Sequence, residues 1–247
     1  MFISNAKMFR PNGGDKSMYL KIINFVLPLR CSFCNGSDIL SAKVSVCKKC
    51  YASQREKISL RCQVCKSLLG GGICEFCTSR NVFFERMEYI YIREPFQSEL
   101  INKMKFQDEP FLGNYFRIGF KKKWKKFHFP NFSFITFIPS NQSTMKKRPI
   151  HPLSQLLPLV SQLSGSVVLD TLSKVSKQKQ GDQSYRQRFI HARYSMEILK
   201  ESKDTISGNV LLVDDIFTTG ATMNEASRIL LENGAEKVYL LTLLRGD

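Results

Sequence analysis

From residue 87 onward, apolar and polar positions follow two alternating periods. Met87–Ile92 (Met-Glu-Tyr-Ile-Tyr-Ile) and Phe134–Ile138 are short runs rich in β-branched and aromatic residues, the second ending at Pro139-Ser140. Both read as strands. Between them, Phe96, Leu100, Ile101 and Met104 recur at helical spacing within Phe96–Phe106. Leu153–Leu163 predicts another helix, kinked at Pro158, and Val167–Leu169 a strand ending at Asp170. The polar segment Ser173–Ser184 has no apolar period. Arg186–Lys200 predicts a helix, Asn209–Val213 a buried strand, Ala221–Glu232 a helix closed by Asn233-Gly234, and Lys237–Leu244 a last strand. Strands and helices in alternation predict an α/β fold, a parallel sheet flanked by helices. Such sheets bind ligands outside the carboxyl ends of their strands.

Ahead of this region the pattern is set by sulfur. All eight cysteines fall in Cys-x-x-Cys pairs: Cys31/Cys34, Cys47/Cys50, Cys62/Cys65 and Cys74/Cys77. Two such turns supply the four thiolates of a closed tetrahedral zinc site. Disulfides require an oxidising compartment, and Leu20–Leu29, interrupted by Lys21, Asn24 and Pro28, reads neither as a secretory signal nor as a membrane span. A redox dithiol would be one pair, not four in series. Taken in order, Cys31, Cys34, Cys47 and Cys50 form one site and Cys62, Cys65, Cys74 and Cys77 the other, with loops of 12 and 8 residues. An interleaved pairing satisfies the same spacing. With every ligand a sulfur, the zinc is structural, and it supplies folding energy that a segment of this size cannot bury for itself. Residues 1–19 read as a disordered extension, with Met8 and Met18 as alternative starts to Met1. Residues 20–80 are then a double zinc ribbon, followed by the sheet domain over 81–247.

Charge adds a second feature. The chain carries 37 Lys and Arg against 21 Asp and Glu, a formal +16. Residues 110–169 hold nine basic and no acidic side chains, while 201–247 hold four basic and eight acidic ones. In the run Lys121, Lys122, Lys123, Trp124, Lys125, Lys126, Phe127, His128, Phe129 cations interleave with aromatic rings, a composition suited to the phosphates and bases of a single strand. The same run suits an acidic protein or a membrane surface.

The chemistry concentrates at the last strand-to-helix junction. Asp214 and Asp215 follow a buried strand, and Thr218, Thr219, Gly220, Ala221 and Thr222 lead into a helix. Amides at a helix start and threonine hydroxyls cradle an anion, with Gly220 letting backbone approach a phosphate. Adjacent carboxylates accept hydrogen bonds from sugar hydroxyls or hold Mg²⁺ through water. A sugar phosphate meets both demands.

Val213-Asp214-Asp215-Ile216-Phe217-Thr218-Thr219-Gly220-Ala221-Thr222 resembles the phosphoribosyl pyrophosphate (PRPP) motif of type I phosphoribosyltransferases. With Phe217, the cysteine array and Lys105-Phe106-Gln107-Asp108, residues 20–247 resemble the ComF family in its ComFC branch, proteins of bacterial DNA uptake. The resemblance implies an N-terminal double zinc ribbon followed by a type I phosphoribosyltransferase-like sheet. It implies that Asp214 and Asp215 hold the ribose 2′- and 3′-hydroxyls and that Thr218–Thr222 cradle the 5′-phosphate. Pyrophosphate loops would fall at Ser140 and Asn141 and in the basic segment carrying Lys177, Lys179 and Arg188. Gln180 and Arg188 match the family's spacing, whereas His191 replaces an Asn and Arg148-Pro149-Ile150-His151-Pro152 replaces an Arg-Gly-aromatic-Asn-Gln run.

Two functions of different class follow. One is a DNA-uptake factor in natural transformation that binds single-stranded DNA and PRPP, with or without transferase activity. Its implied partners are a ComFA-like helicase and a recombination mediator, and its implied place is the cytoplasm or the inner face of the membrane. The other is a nucleotide-salvage phosphoribosyltransferase using PRPP with Mg²⁺. Only Arg245-Gly246-Asp247 follow the last strand, which leaves nothing there to build a nucleobase pocket and favours the first.

Overall fold

The structure is a computed structural model that describes residues 30–31, 34–37, 46–52, 60–69, 71–106, 113–140, 152–175 and 195–246. Residues 1–19, Gln107, Asp108, Asn141, Arg148–His151, Lys177, Lys179, Gln180, Arg188 and His191 lie outside the described residues.

Four strands form a parallel sheet in the order β1 (Arg86–Ile92), β6 (Ala235–Arg245), β5 (Gly208–Phe217), β2 (Phe134–Phe137). Beyond β2, Val168 makes a one-residue parallel bridge to Ile135. The expected strand at Val167–Leu169 is thus reduced to two bonds, Ile135 N–H to Val167 O and Leu169 N–H to Ile135 O.

The pleat sorts β5 between two cores. Leu211 and Val213 face one side, with α3 (Pro95–Phe106), α4 (Gly113–Lys123) and α5 (Pro152–Ser164). Val210 and Leu212 face the other, with α6 (Ala221–Glu232). α5 carries Pro158 within its span, on an exposed position. The Cys-x-x-Cys turns contribute α1 (Lys48–Ala52) and α2 (Glu75–Thr78).

Two elements differ from the sequence expectation. The basic run, to which the apolar period assigns no element, is helical: Lys121–Lys123 end α4, and Trp124–Phe127 form a 3₁₀ turn. α4 forms because Tyr115, Phe116, Gly119 and Phe120 share one buried face. Gly119 allows the helix to lie directly on β1, since a Cβ there would fall 2.2 Å from the Tyr91 hydroxyl. The stretch up to Lys200 is not helical at its described end. Met196–Ile198 is strand β4, antiparallel to β3 (Leu172–Lys174) and followed by a 3₁₀ turn at Lys200–Thr205. Here a period of two wins: Met196 and Ile198 are buried and Glu197 is exposed.

Candidate functional site

β5 continues past its expected end at Val213, pairing Asp214 with Thr242 and Phe217 with Arg245. The two aspartates therefore sit on the carboxyl end of a central strand, where the sheet holds them in place. Asp214 is half-buried, and its Oδ1 accepts the Asp215 N–H at 2.8 Å. Burial, reinforced by the Asp215 charge, pushes the Asp214 carboxyl well above the usual carboxylate range, against the pull of the Asp215 amide, Lys174 and Lys105. Asp215 Oδ2 pairs with Lys105 Nζ across 110 residues of sequence. Lys105, 9% exposed, reaches it from the core-facing stripe of α3, beside Ile101 and Met104. A lysine on an apolar stripe signals a buried partner, a signal in the sequence besides its place in Lys105-Phe106-Gln107-Asp108.

Thr218 is exposed, Thr219 and Thr222 are half-buried, and the Ala221 N–H reaches Thr219 Oγ1 at 3.4 Å. Gly220 caps α6 without a side chain, and the first turn carries no acidic residue, so the helix start favours an anion. The fold itself gives Gly220 a reason to be glycine. Its φ is +71°, and a Cβ would fall 2.3 Å from Phe217 Cζ and 2.7 Å from Phe76 Cε2. Ser140 follows β2, whose Phe137 pairs with Val213, and so lies at the same sheet end.

The cysteines gather into two groups in sequence order, Cys31/Cys34/Cys47/Cys50 and Cys62/Cys65/Cys74/Cys77, with all sulfurs of a group within 4.8 Å of one another. Four converging sulfurs fit tetrahedral zinc. Burial raises the Cys50, Cys65 and Cys77 thiols, so zinc entering either group expels protons. Each group belongs to a different core. Cys31, Cys47 and Cys50 pack with Phe96 and Tyr115, and Cys65 and Cys74 with Phe217 and Met223. The second group braces the strand end that leads into the Thr218–Thr222 loop. Phe76, between its last two cysteines, lies 5.9 Å from the Phe217 ring. Arg245 donates from Nε to Cys65 O at 3.2 Å and from an Nη to Ser67 Oγ at 2.7 Å, while its guanidinium lies 5.0 Å from the Phe217 ring centre. Neither Phe76 nor Arg245 stands out in sequence, because their partners are distant along the chain.

The basic run divides. Lys121, Lys122, Lys125 and Lys126 are exposed, but Phe127 is buried and the half-buried Trp124 packs on Phe120 and Phe129 at 5.2 and 5.7 Å. The rings expected to stack on bases serve the core instead. Among the described residues no helix is long and apolar enough to cross a membrane.

Residues 153–247 match the model of the phosphoribosyl transferase domain. Competence protein ComFC of Streptococcus pneumoniae is 24% identical over 80% of this chain and 81% of its own, and that of Bacillus subtilis 22% over 84% and 87%. Competence protein F of Haemophilus influenzae is 28% identical over 87% of this chain and 96% of its own. Among solved structures, the allosteric regulatory enzyme of purine biosynthesis overlaps 49% of this chain at 18% identity and a TM-score of 0.32, too slight an overlap to weigh. With its two Cys₄ groups, its parallel sheet, its phosphoribosyl transferase domain and these relatives, the chain is ComFC-like, similar over four fifths or more of its length to the competence proteins of the ComF family.

Proposed function

We propose that this chain acts in DNA uptake during natural transformation, binding PRPP or a related ribose phosphate at the end of β5 and single-stranded DNA on its basic surface. The observation that carries the reading is the pairing, on one strand end, of two carboxylates with a hydroxyl-rich loop entering α6. The relatives named as competence proteins support the biological role. Asp214 and Asp215 accept the ribose hydroxyls, Thr218–Thr222 hold the 5′-phosphate, and Mg²⁺ travels with the pyrophosphate. Ser140 lines the pyrophosphate side, with Asn141, Lys177, Lys179 and Arg188 as further candidates there. Residues 20–80 serve as the zinc-bound brace and 81–247 as the ribose-phosphate domain.

Transformation of a strain whose copy is replaced by the Asp214→Asn/Asp215→Asn variant tests this role. Transformants should fall by an order of magnitude or more while growth on nucleobases is unchanged. Normal transformation with impaired nucleobase salvage would instead favour a salvage transferase.

A further inference from the structure

A groove of about 380 Å³ opens where the loop of the second Cys₄ group, strand β1 and the end of α4 meet. It lies apart from the aspartate pair and shares no residue with that site. Arg61, Gln63 and Lys66 come from the cysteine loop, Glu88 and Tyr89 from β1, and Lys123 from α4. The half-buried Tyr89 ring has cations at its face, with the Arg61 guanidinium 6.0 Å and the Lys123 ammonium 5.3 Å from its centre. Lys66 pairs with Glu88 at 3.1 Å, so three cations face one carboxylate. Leu60, 80% exposed, adds apolar surface to the lining.

This chemistry complements what the basic run lacks. Lys121, Lys122, Lys125 and Lys126 are exposed, but Trp124 packs on Phe120 and Phe129, and Phe127, 5% exposed, reaches the groove with little of its ring, so the run offers phosphates charge and bases almost no surface of its own. A single strand needs both, cations along its backbone and flat or apolar surfaces for its bases. Lys123 belongs to the run and also lines the groove, which joins the two. The volume suits one nucleotide, and the base faces it would contact are hidden inside a duplex.

We propose that this groove takes a base of a DNA single strand whose flanking phosphates lie on Lys121, Lys122, Lys125 and Lys126. The proposal rests on the reading of the chain as a single-strand binder. The Cys₄ loop thereby becomes part of the recognition surface as well as a brace. Tyr89 and the guanidinium plane of Arg61 contact the base, Leu60 covers its edge, and Gln63 offers an amide to its polar groups.

Fluorescence anisotropy on the zinc-loaded full chain, with a labelled oligothymidine and an abasic oligonucleotide of equal length, separates the contributions. Leu60→Ser and Arg61→Gln should together weaken the thymidine strand by about tenfold or more, the scale of stacking for one base. The same changes should barely affect the abasic strand. Neutralising Lys121, Lys122, Lys125 and Lys126 to Gln should instead flatten the salt dependence, by about 0.7 in log–log slope for each phosphate no longer neutralised. The wild-type chain tests the proposal without any variant: it should prefer the thymidine strand over both the abasic strand and a duplex. Equal affinity for thymidine and abasic strands, or tighter binding of duplex, would overturn the groove while leaving single-strand binding standing. Absence of binding to any strand would overturn the reading beneath it.

Discussion

Asp214 and Asp215 are neighbours in sequence with unlike surroundings. Asp215 meets the ammonium of Lys105, whereas Asp214 has an amide for a close partner and a carboxylate beside it. The folded chain therefore holds the Asp214 proton more tightly than the unfolded chain does. The cost of ionising it is fully present above the raised folded pKa and absent below the ordinary Asp value, near pH 4. Asp214→Asn keeps an oxygen for the Asp215 N–H and removes that cost. The variant should melt higher than wild type at pH 8, by about 2–4 °C for each kcal/mol recovered, and the gain should shrink toward pH 4. A gain independent of pH, or a loss at pH 8, would contradict this account of the pair. A residue that costs stability until a ligand arrives fits a binding role. The aspartates could be read from sequence because two carboxylates at the end of Val210–Val213 break an apolar run. Lys105 could be placed only within a family-like segment, since its partner lies 110 residues away.

At the scale of elements, β5, its loop and α6 work as one unit clamped by the second Cys₄ group. Phe76 and Phe84 both pack on Phe217, at 5.9 and 6.3 Å, and Asn224 of α6 accepts the Phe83 N–H and donates to Asn81 O. Phe76→Ala would open a cavity under Gly220 and should cost about 3–5 kcal/mol of stability. In denaturant titrations, a loss below about 1 kcal/mol would show that Phe76 is peripheral to the loop. Apolar period located β5, β6, α3, α5 and α6, which are long or strongly patterned. It missed α4, whose buried face includes Gly119 and whose last turn is three lysines, so composition masked the helical spacing. It also misplaced the end of the Arg186–Lys200 segment, because Met196 and Ile198 gain burial only when β3 lies beside them. Strand pairing is a tertiary fact that local pattern does not carry.

Over the whole molecule, the two Cys₄ groups lie in different cores, one with α3, α4 and α5 and the other with α6. Metal loss should thus be felt throughout the chain and not in a separate ribbon. Thermal melting with a strong chelator should show one transition lowered by about 10 °C or more, given the folding energy of structural zinc. A small early transition with the main one unmoved would contradict this. Metal also changes the charge: four thiolates on each Zn²⁺ bring the formal +16 to about +12 in the loaded protein. That excess lies mainly outside the acidic last segment, so the strand binding and the ribose-phosphate binding proposed above would fall on different surfaces and should be separable by mutation. The ribose-phosphate site at the end of β5 is the centre of the functional reading. Its most direct test is calorimetric titration of PRPP with Mg²⁺ into the zinc-loaded chain and into the Asp214→Asn/Asp215→Asn variant. Saturable binding of one PRPP per chain, abolished in the variant, is the predicted result. Equal binding by both proteins, or none by the wild type, would contradict it.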